Sequence, residues 1–145
     1  MKIRRAGPRD LATLIGLHEA FCRVDGHPFS EARARSAFAP LLDDDRHGVV
    51  WMIDSPQGYA VLTWGWSIEA GGAEAVLDEI FTTARGEGAG SALLGHVLSD
   101  AEHRGLARVF LETELRNDRV RSFYEHHGFS ADDSVWMSID FADLS

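Results

Sequence analysis

The sequence predicts a mixed α/β (α+β) fold in a single domain spanning residues 1–145. Three observations carry that prediction. Apolar residues recur at helical spacing near the N-terminus and again after residue 90. Between residues 49 and 83, three β-rich runs are separated only by short turn sequences. A strand, a glycine-rich loop, a helix and a further strand then follow one another across residues 75–113. Consecutive strands with short turns pair antiparallel, whereas a strand–helix–strand unit brings two strands together in parallel.

Ile3 to Ala6 reads as a first strand, stopped by Gly7-Pro8. A helix starts near Asp10, with Leu11, Leu14, Ile15, His18, Phe21 and Cys22 at helical spacing, and Gly26 and Pro28 break it. Ser30 suits the N-cap of a second helix over Glu31–Leu42, closed by the acidic turn Asp43-Asp44-Asp45. Val49–Ile53 and Tyr59–Ser67 read as a hairpin around the turn Asp54-Ser55-Pro56-Gln57-Gly58. Gly71-Gly72 turns the chain into a third strand, Ala75–Thr83. After the glycine-rich loop, Leu93, Leu94, Val97, Leu98 and Ala101 share one helical face, and Gly105 ends that helix. Ala107–Thr113 reads as a strand. Asn117 starts a helix that ends at Gly128-Phe129, and the alternation in Val135–Phe141 predicts a last strand. No repeat, low-complexity segment or Pro/Gly/Ser linker divides the chain.

Composition narrows the function classes. A chain of 145 residues, 45% apolar and 26% charged, has enough apolar surface for an ordered core without disulfides. The single cysteine, Cys22, excludes an intrachain disulfide and a Cys-based zinc site, and fits a reducing, cytoplasmic setting. The basic start (Lys2, Arg4, Arg5) runs into Gly7-Pro8-Arg9-Asp10 where a signal peptide needs an apolar run. No segment has the apolar length of a membrane span, so no membrane partner is expected. The formal net charge is −9 with no basic run, which argues against a nucleic-acid partner and favours a cationic small molecule or a basic peptide.

The most informative constellation is a strand, then Arg85-x-x-Gly88-x-Gly90, then a helix. The first N–H groups of a helix lack internal partners, and the helix dipole adds partial positive charge there. Glycines let a phosphate approach that backbone, and Arg85 adds a charge-assisted donor. Two nucleotide signatures fail on spacing. Gly90 is followed by Ser91-Ala92, where a P-loop needs Lys-Ser/Thr, and Ser91 stands where a dinucleotide fingerprint beginning at Gly86 needs its third glycine. A strand-to-helix turn without a ligand is the alternative for the loop taken alone.

Val76–Thr82 followed by Arg85-Gly86-Glu87-Gly88-Ala89-Gly90-Ser91-Ala92-Leu93-Leu94 resembles the acetyl-CoA-binding motif of the GCN5-related N-acetyltransferases (GNAT), whose pattern is Arg/Gln-x-x-Gly-x-Gly/Ala opening a helix. Asn117-x-x-Val120-x-x-Phe123-Tyr124-Glu125-x-x-Gly128-Phe129 resembles the family's second signature, with Val120 in place of the usual alanine. The order of elements is similar over essentially the whole chain.

The resemblance implies acetyl-CoA as cofactor. By it, the N–H groups of Arg85, Gly86, Glu87, Gly88, Ala89 and Gly90 hold the pyrophosphate, with Ser91 beginning the helix. The strand before the loop splays from the next one, and the pantetheine arm pairs with its edge at Ile80, Phe81 and Thr82, a strand addition by a ligand. A backbone N–H near Thr82 meets the oxyanion. Asn117 contacts the cofactor arm, and as an N-cap it also serves the helix it starts. Tyr124 is the general acid for the departing thiolate, or else a core aromatic beside Phe123. Asp78 or Glu79 acts on the acceptor amine, directly or through water. Neighbouring strand residues point to opposite faces, so one of the two is expected to face the acceptor and the other to be structural or solvated.

Other residues are given plainer roles. The seven histidines lack metal-site spacing: His18-Glu19 has no histidine at position 22, and the adjacent His126 and His127 suit a helix end. His18 and Cys22, four apart, read as a core-facing pair rather than a nucleophile and its base. Trp64 and Trp66, with Trp51 on the preceding strand, either line an acceptor pocket or serve core or dimer packing. Phe21–Phe29 occupies the family's variable acceptor region, where Asp25 and His27 can meet an acceptor.

The expected activity is therefore acetyl transfer to a primary amine of a small molecule: a polyamine, an aminoglycoside or an amino-acid-like compound. Two alternatives stand beside it. One is a peptide or protein N-acetyltransferase. The other is a non-catalytic acyl-CoA-binding module, against which Tyr124 and the Asp78/Glu79 pair argue, because a pure binder needs neither acid nor base. A homodimer is compatible with the resemblance.

Overall fold

A run of β-formers with only tight turns between them has one economical solution, a meander, and this is how residues 48–82 fold. The computed structural model describes residues 1–142. Strand β1 is Ile3–Arg5, followed by a single 3-10 turn at Pro8–Asp10 and helices α1 (Leu11–Asp25) and α2 (Glu31–Asp43). Strands β2 (Gly48–Asp54), β3 (Gln57–Ser67) and β4 (Gly72–Thr82) form the meander, then come α3 (Ala89–His103), β5 (Arg108–Phe110) and α4 (Asp118–His126). The sheet order is β1-β2-β3-β4-β5, antiparallel except for the parallel β4–β5 pair. The mixed sheet with one parallel pair is the architecture expected from the sequence.

The chain forms two compact units, Met1–Glu112 and a second beginning at Thr113. In the first, strand alternation sends side chains to two separate cores. Val50, Met52, Tyr59 and Val61 pack with Leu14, Ile15 and Leu17 of α1 and Phe38, Leu41 and Leu42 of α2. The opposite face, with Val49, Ile53, Ala60 and Leu62, belongs to α3, whose Leu93, Leu94 and Val97 are fully buried. Trp51 confirms the assignment: its ring meets His96 of α3 edge-on, with centroids 4.3 Å apart. Gly48 lets β2 and β3 approach closely. A Cβ there would lie 2.2 Å from the Leu62 carbonyl oxygen and 2.9 Å from Thr63 Cα, both backbone atoms that cannot swing aside. Gly48→Ala should therefore lose about 1–3 kcal/mol of stability. A denaturant midpoint unchanged from wild type would contradict that close approach.

Caps fix where the helices begin and end. The Ser30 hydroxyl accepts from the Arg33 N–H at 3.2 Å, as the sequence indicates for α2. At the end of α3, Gly105 takes φ +79°, its N–H bonds Glu102 O and the Leu106 N–H bonds Ala101 O. That pair of bonds is a Schellman stop, which requires a left-handed residue that glycine supplies without strain. Asp10 ties down the N-terminal segment by accepting from the Gly7 N–H (2.8 Å) and from both terminal nitrogens of Arg4 (2.8 and 3.0 Å). Arg4 also binds Asp54 at the end of β2. The Arg4 hydrogen bonds, chiefly, hold the Asp10 carboxyl below its ordinary value, with the Gly7 N–H assisting. A depressed carboxylate adds stability above its unfolded value and loses it as pH falls through the folded one. Asp10→Asn should thus lower Tm at neutral pH, and its gap to wild type should close below about pH 4. A gap independent of pH in thermal melts would refute the charge contribution.

In the second unit, Asn117 Oδ1 accepts from the Val120 N–H (3.2 Å) to cap α4. Gly128 at φ +98° and the Phe129 N–H on Tyr124 O (3.1 Å) end it. Val135–Phe141 does not form the strand its alternation suggests: the segment lacks ladder hydrogen bonds among the described residues, and Val135, Met137, Ile139 and Phe141 are exposed. Alternation expresses a preference for a pleated surface and does not by itself make a ladder. No helix among the described residues is long and apolar enough to cross a membrane.

Candidate functional site

Three features of the first unit converge on the end of β4. The first is the glycine-rich turn. Gly86 and Gly88 take φ +76° and +79°, a region in which a side chain is strained. A Cβ on Gly86 would meet nothing within 4 Å, and one on Gly88 only Met1 Cε at 4.0 Å. These glycines are therefore required for backbone shape and leave an uncovered surface. Gly88 is the N-cap of α3 and uses no side chain to cap it. Ala89 and Gly90 lie in the first helical turn, so the helix begins two residues earlier than the start at Ser91 read from the sequence. The Ala92 N–H bonds Gly88 O, closing the first turn, and leading N–H groups of such a helix point outward along its axis. Arg85, Glu87 and Ser91 are exposed, while Ala89 is buried.

The second feature is an edge. Strand β5 pairs with β4 only at Glu74–Val76. From Leu77 to Thr82, β4 keeps its ladder to β3 but has no strand on its other side among the described residues. Ile80, Phe81 and Thr82 thus offer backbone groups at an unpaired edge running into the loop. The Phe81 ring itself turns into the α1–α2 core, against Phe21 and Tyr59 at centroid distances of 6.1 and 6.4 Å. Only the backbone of Phe81 belongs to the edge.

The third feature is a cavity of about 290 Å³ on the α1–α2 face. Phe21, Phe38 and His18 form its aromatic wall, Pro28 and Arg33 come from the α1–α2 connection and α2, and Asp78 and Glu79 from β4. The expectation that only one of the two carboxylates faces this space is wrong. Val61 pairs with Glu79 whereas Leu62 pairs with Leu77, so Asp78 is an extra residue opposite no partner. Such a bulge re-aims a side chain, and here it brings both carboxylates to one cavity.

Their surroundings differ. Glu79 Oε1 accepts from the Tyr59 hydroxyl (2.6 Å) and pairs with His18 Nδ1 (2.9 Å). On its other side His18 Nε2 meets Cys22 Sγ at 3.4 Å. Asp78 is raised above its ordinary value, first by desolvation and then by the neighbouring Glu79 charge, with His18 opposing. Although its surface is open to solvent, the mouth of the cavity is crowded enough for desolvation to lead. Tyr59 is pushed well up by burial and by Glu79, and so stays a phenol that donates. Burial, followed by the charges of Glu79, Asp25 and Glu19, also raises the Cys22 thiol, which suits a packed thiol and opposes a thiolate nucleophile.

His18 and Tyr59 were missed as site residues by the sequence reading. The i,i+4 spacing of His18 and Cys22 marks a shared helix face, but the partner Glu79 is 61 residues away. His27 lines the cavity and binds Asp25 at 2.7 Å. Trp64 belongs elsewhere: its ring lies under Arg104, the C-cap of α3, at 4.8 Å, on the sheet face opposite the cavity. Trp51 shares that face and packs on α3, whereas Trp64 is half-buried with its indole N–H donating to Asp45 O, and Trp66 is 79% exposed.

In the second unit, Asn117 spends Oδ1 on the α4 cap. The Tyr124 ring lies edge-on to Phe123 and Phe129, with centroids 5.3 and 5.7 Å apart.

The model of the acetyltransferase (GNAT) family matches residues 14–129 of the chain. No curated protein matches it. Among solved structures, an integron cassette protein from the mobile metagenome of Cole Harbour Salt Marsh is 29% identical, with 97% of this chain and 90% of that one covered and a TM-score of 0.84. Ribosomal-protein-alanine N-acetyltransferase from Brucella melitensis biovar Abortus 2308 is 20% identical, with 97% and 100% covered and a TM-score of 0.73. An aminoglycoside acetyltransferase from an uncultured soil metagenomic sample, solved with sisomicin, is 16% identical, with 97% and 95% covered and a TM-score of 0.73. At these identities the last two demonstrate a common fold alone.

Proposed function

This chain belongs to the acetyltransferase (GNAT) family, and on that premise we propose that it transfers the acetyl group of acetyl-CoA to a primary amine of a small molecule, as one catalytic domain over residues 1–145. The observation that carries this reading is the cavity with two carboxylates, built on the same strand whose end leads into the open glycine turn. A half-open cavity of about 290 Å³ has room for a compact amine. The two acetyltransferases of like fold act on a protein and on an aminoglycoside, so the fold itself leaves the acceptor open. The single thiol of Cys22 accords with a cytoplasmic reaction.

In this reading the N–H groups from Arg85 to Gly90, with the Arg85 guanidinium, cradle the pyrophosphate, and Ser91 continues the helix they open. The pantetheine arm pairs with the β4 edge at Ile80–Thr82, and Asn117 reaches it from the second signature. The acceptor enters as an ammonium, drawn by Asp78 and Glu79. Asp78 takes one of its protons. The freed amine attacks the thioester carbonyl, forming a C–N bond, and the oxyanion is met by a backbone N–H near Thr82. Collapse breaks the C–S bond, and Tyr124 gives its proton to the departing thiolate. The second proton of the new amide nitrogen leaves to restore the phenol, while Asp78 returns its proton to water.

Calorimetric titration with acetyl-CoA, with desulfo-CoA and NAD as controls, tests the cofactor. Binding of the CoA species alone is expected, and no heat at high micromolar concentration would overturn the reading. Asp78→Asn should reduce kcat/KM for the amine by roughly 10²-fold with acetyl-CoA affinity kept. Because Asp78 must be ionised to accept a proton, and Glu79 and burial raise it, the wild-type rate should fall on acidification at a pH above the ordinary carboxylate range. An acid limb unmoved in Asp78→Asn would remove that residue from the step.

A further inference from the structure

Glu79 is held from two directions by donors that an acetyl-CoA site does not itself require. Tyr59 comes from β3 and reaches Oε1 at 2.6 Å; His18 comes from α1 and reaches the same atom at 2.9 Å. The His18 ring is boxed in by aromatic neighbours: Phe21, Phe29 and Phe38 lie at centroid distances of 6.3, 5.9 and 6.0 Å. Its side chain is 19% exposed and that of Glu79 is 18% exposed. Neither group is therefore an ordinary surface ion-pair partner, and the ring has little room to turn.

The donors also share one direction. The Cys22 thiol carries hydrogen and lies 3.4 Å from His18 Nε2, so in the neutral ring Nε2 is the acceptor and Nδ1 bears the proton. Nδ1–H then donates to Glu79, as does the Tyr59 hydroxyl. The chain runs Cys22 to His18 to Glu79, with Tyr59 converging on the same oxygen. Oε1 is saturated by two protein donors, which leaves Oε2 for a ligand in the cavity.

We propose that His18 is a positioning residue which, with Tyr59, locks Glu79 as a fixed anionic seat for the acceptor's ammonium group, so that the neighbouring Asp78 is free to take the proton. The inference rests on the amine-acetylation reading above. It divides labour between two adjacent carboxylates that the bulge at Asp78 brings to one cavity. A seat whose carboxylate cannot rotate holds the amine in one orientation toward the thioester, and orientation of this kind is worth much of a transfer rate. The seat favours primary ammonium groups on compact carriers, since the aromatic wall of Phe21, Phe38 and His18 flanks it.

Two measurements on the full chain test this. In the first, the imidazole nitrogens of 15N-histidine-labelled protein are observed at about pH 8, above the usual titration range of the ring. The His18 signal is identified by its loss in His18→Asn. The proton is expected on Nδ1 in wild type; a wild-type ring carrying its proton on Nε2 would overturn the proposal without touching the acetyl-transfer reading. In the second, thiol release from acetyl-CoA is followed with spermidine as the probe amine. His18→Ala should lower kcat/KM for spermidine by about tenfold or more while leaving acetyl-CoA affinity unchanged. His18→Asn places an amide N–H near the position of Nδ1 and should recover most of the loss, and Tyr59→Phe should show a similar, smaller loss. Wild-type rates in His18→Ala, or equal loss of acetyl-CoA affinity and amine use, would refute a positioning role. Wild-type protein that binds no acetyl-CoA would instead refute the functional reading on which it rests.

Discussion

Gly88→Asp should abolish detectable acetyl-CoA binding while leaving the protein folded. Gly88 is the N-cap of α3 at φ +79°, and the space beside its Cα is open. Aspartate is among the few side chains that tolerate the left-handed region, and an acidic group at a helix N-terminus is favourable to the helix. The costs and gains to folding therefore offset within about 1 kcal/mol. Binding has no such offset. A carboxylate roughly 4 Å from a phosphate charge is repelled by about 4 kcal/mol at an effective dielectric constant near 20, a loss of about 10³-fold in affinity. Gly88→Ala separates the two contributions. It carries the backbone strain without the charge, and its Cβ meets only Met1 Cε at 4.0 Å, so affinity should fall much less. Calorimetry on both variants, with thermal melts as the folding control, checks the pair. Equal affinities for Gly88→Asp and wild type would mean that the pyrophosphate lies elsewhere.

The same position shows what a sequence can carry. A left-handed glycine, a neighbouring left-handed glycine and a helix opening just after them are local facts, and local facts are written in adjacent residues. The meander and the parallel return to β5 were legible for the same reason: short turns and an intervening helix constrain topology through chain connectivity. Glu79 illustrates the limit. Its partners are Tyr59, 20 residues away on β3, and His18, 61 residues away on α1. Nothing in the spacing of those residues announces their meeting. Asp78 failed for a subtler reason. The two-residue period of a strand assigns faces correctly only while the register is unbroken, and a single unpaired residue reverses the assignment for everything on one side of it. That slip turned two carboxylates expected on opposite faces into a pair in one cavity. The stretch Val135–Phe141 failed in the converse way: its pattern is regular, yet no ladder forms along it among the described residues.

Tyr124→Phe should lower turnover by roughly 10²-fold or more and leave acetyl-CoA affinity largely intact. The reasoning begins from the leaving group. Expulsion of an alkyl thiolate from the tetrahedral intermediate is eased when a donor protonates the sulfur as the C–S bond breaks. A phenol, with an ordinary pKa near 10, retains its proton at neutral pH and can give it up at that moment. Phenylalanine keeps the ring, and with it the edge contacts to Phe123 and Phe129 at 5.3 and 5.7 Å, so the second unit should pack as before. What disappears is the hydroxyl alone. A donor substrate with a much more acidic thiol, such as an aryl thioacetate, distinguishes an acid from a packing residue. Its thiolate departs without help, so the variant's deficit should shrink with that donor if Tyr124 supplies the proton. A deficit of the same size with both donors would assign the loss to misplaced substrate, and undiminished turnover with acetyl-CoA at saturating amine would remove Tyr124 from the reaction.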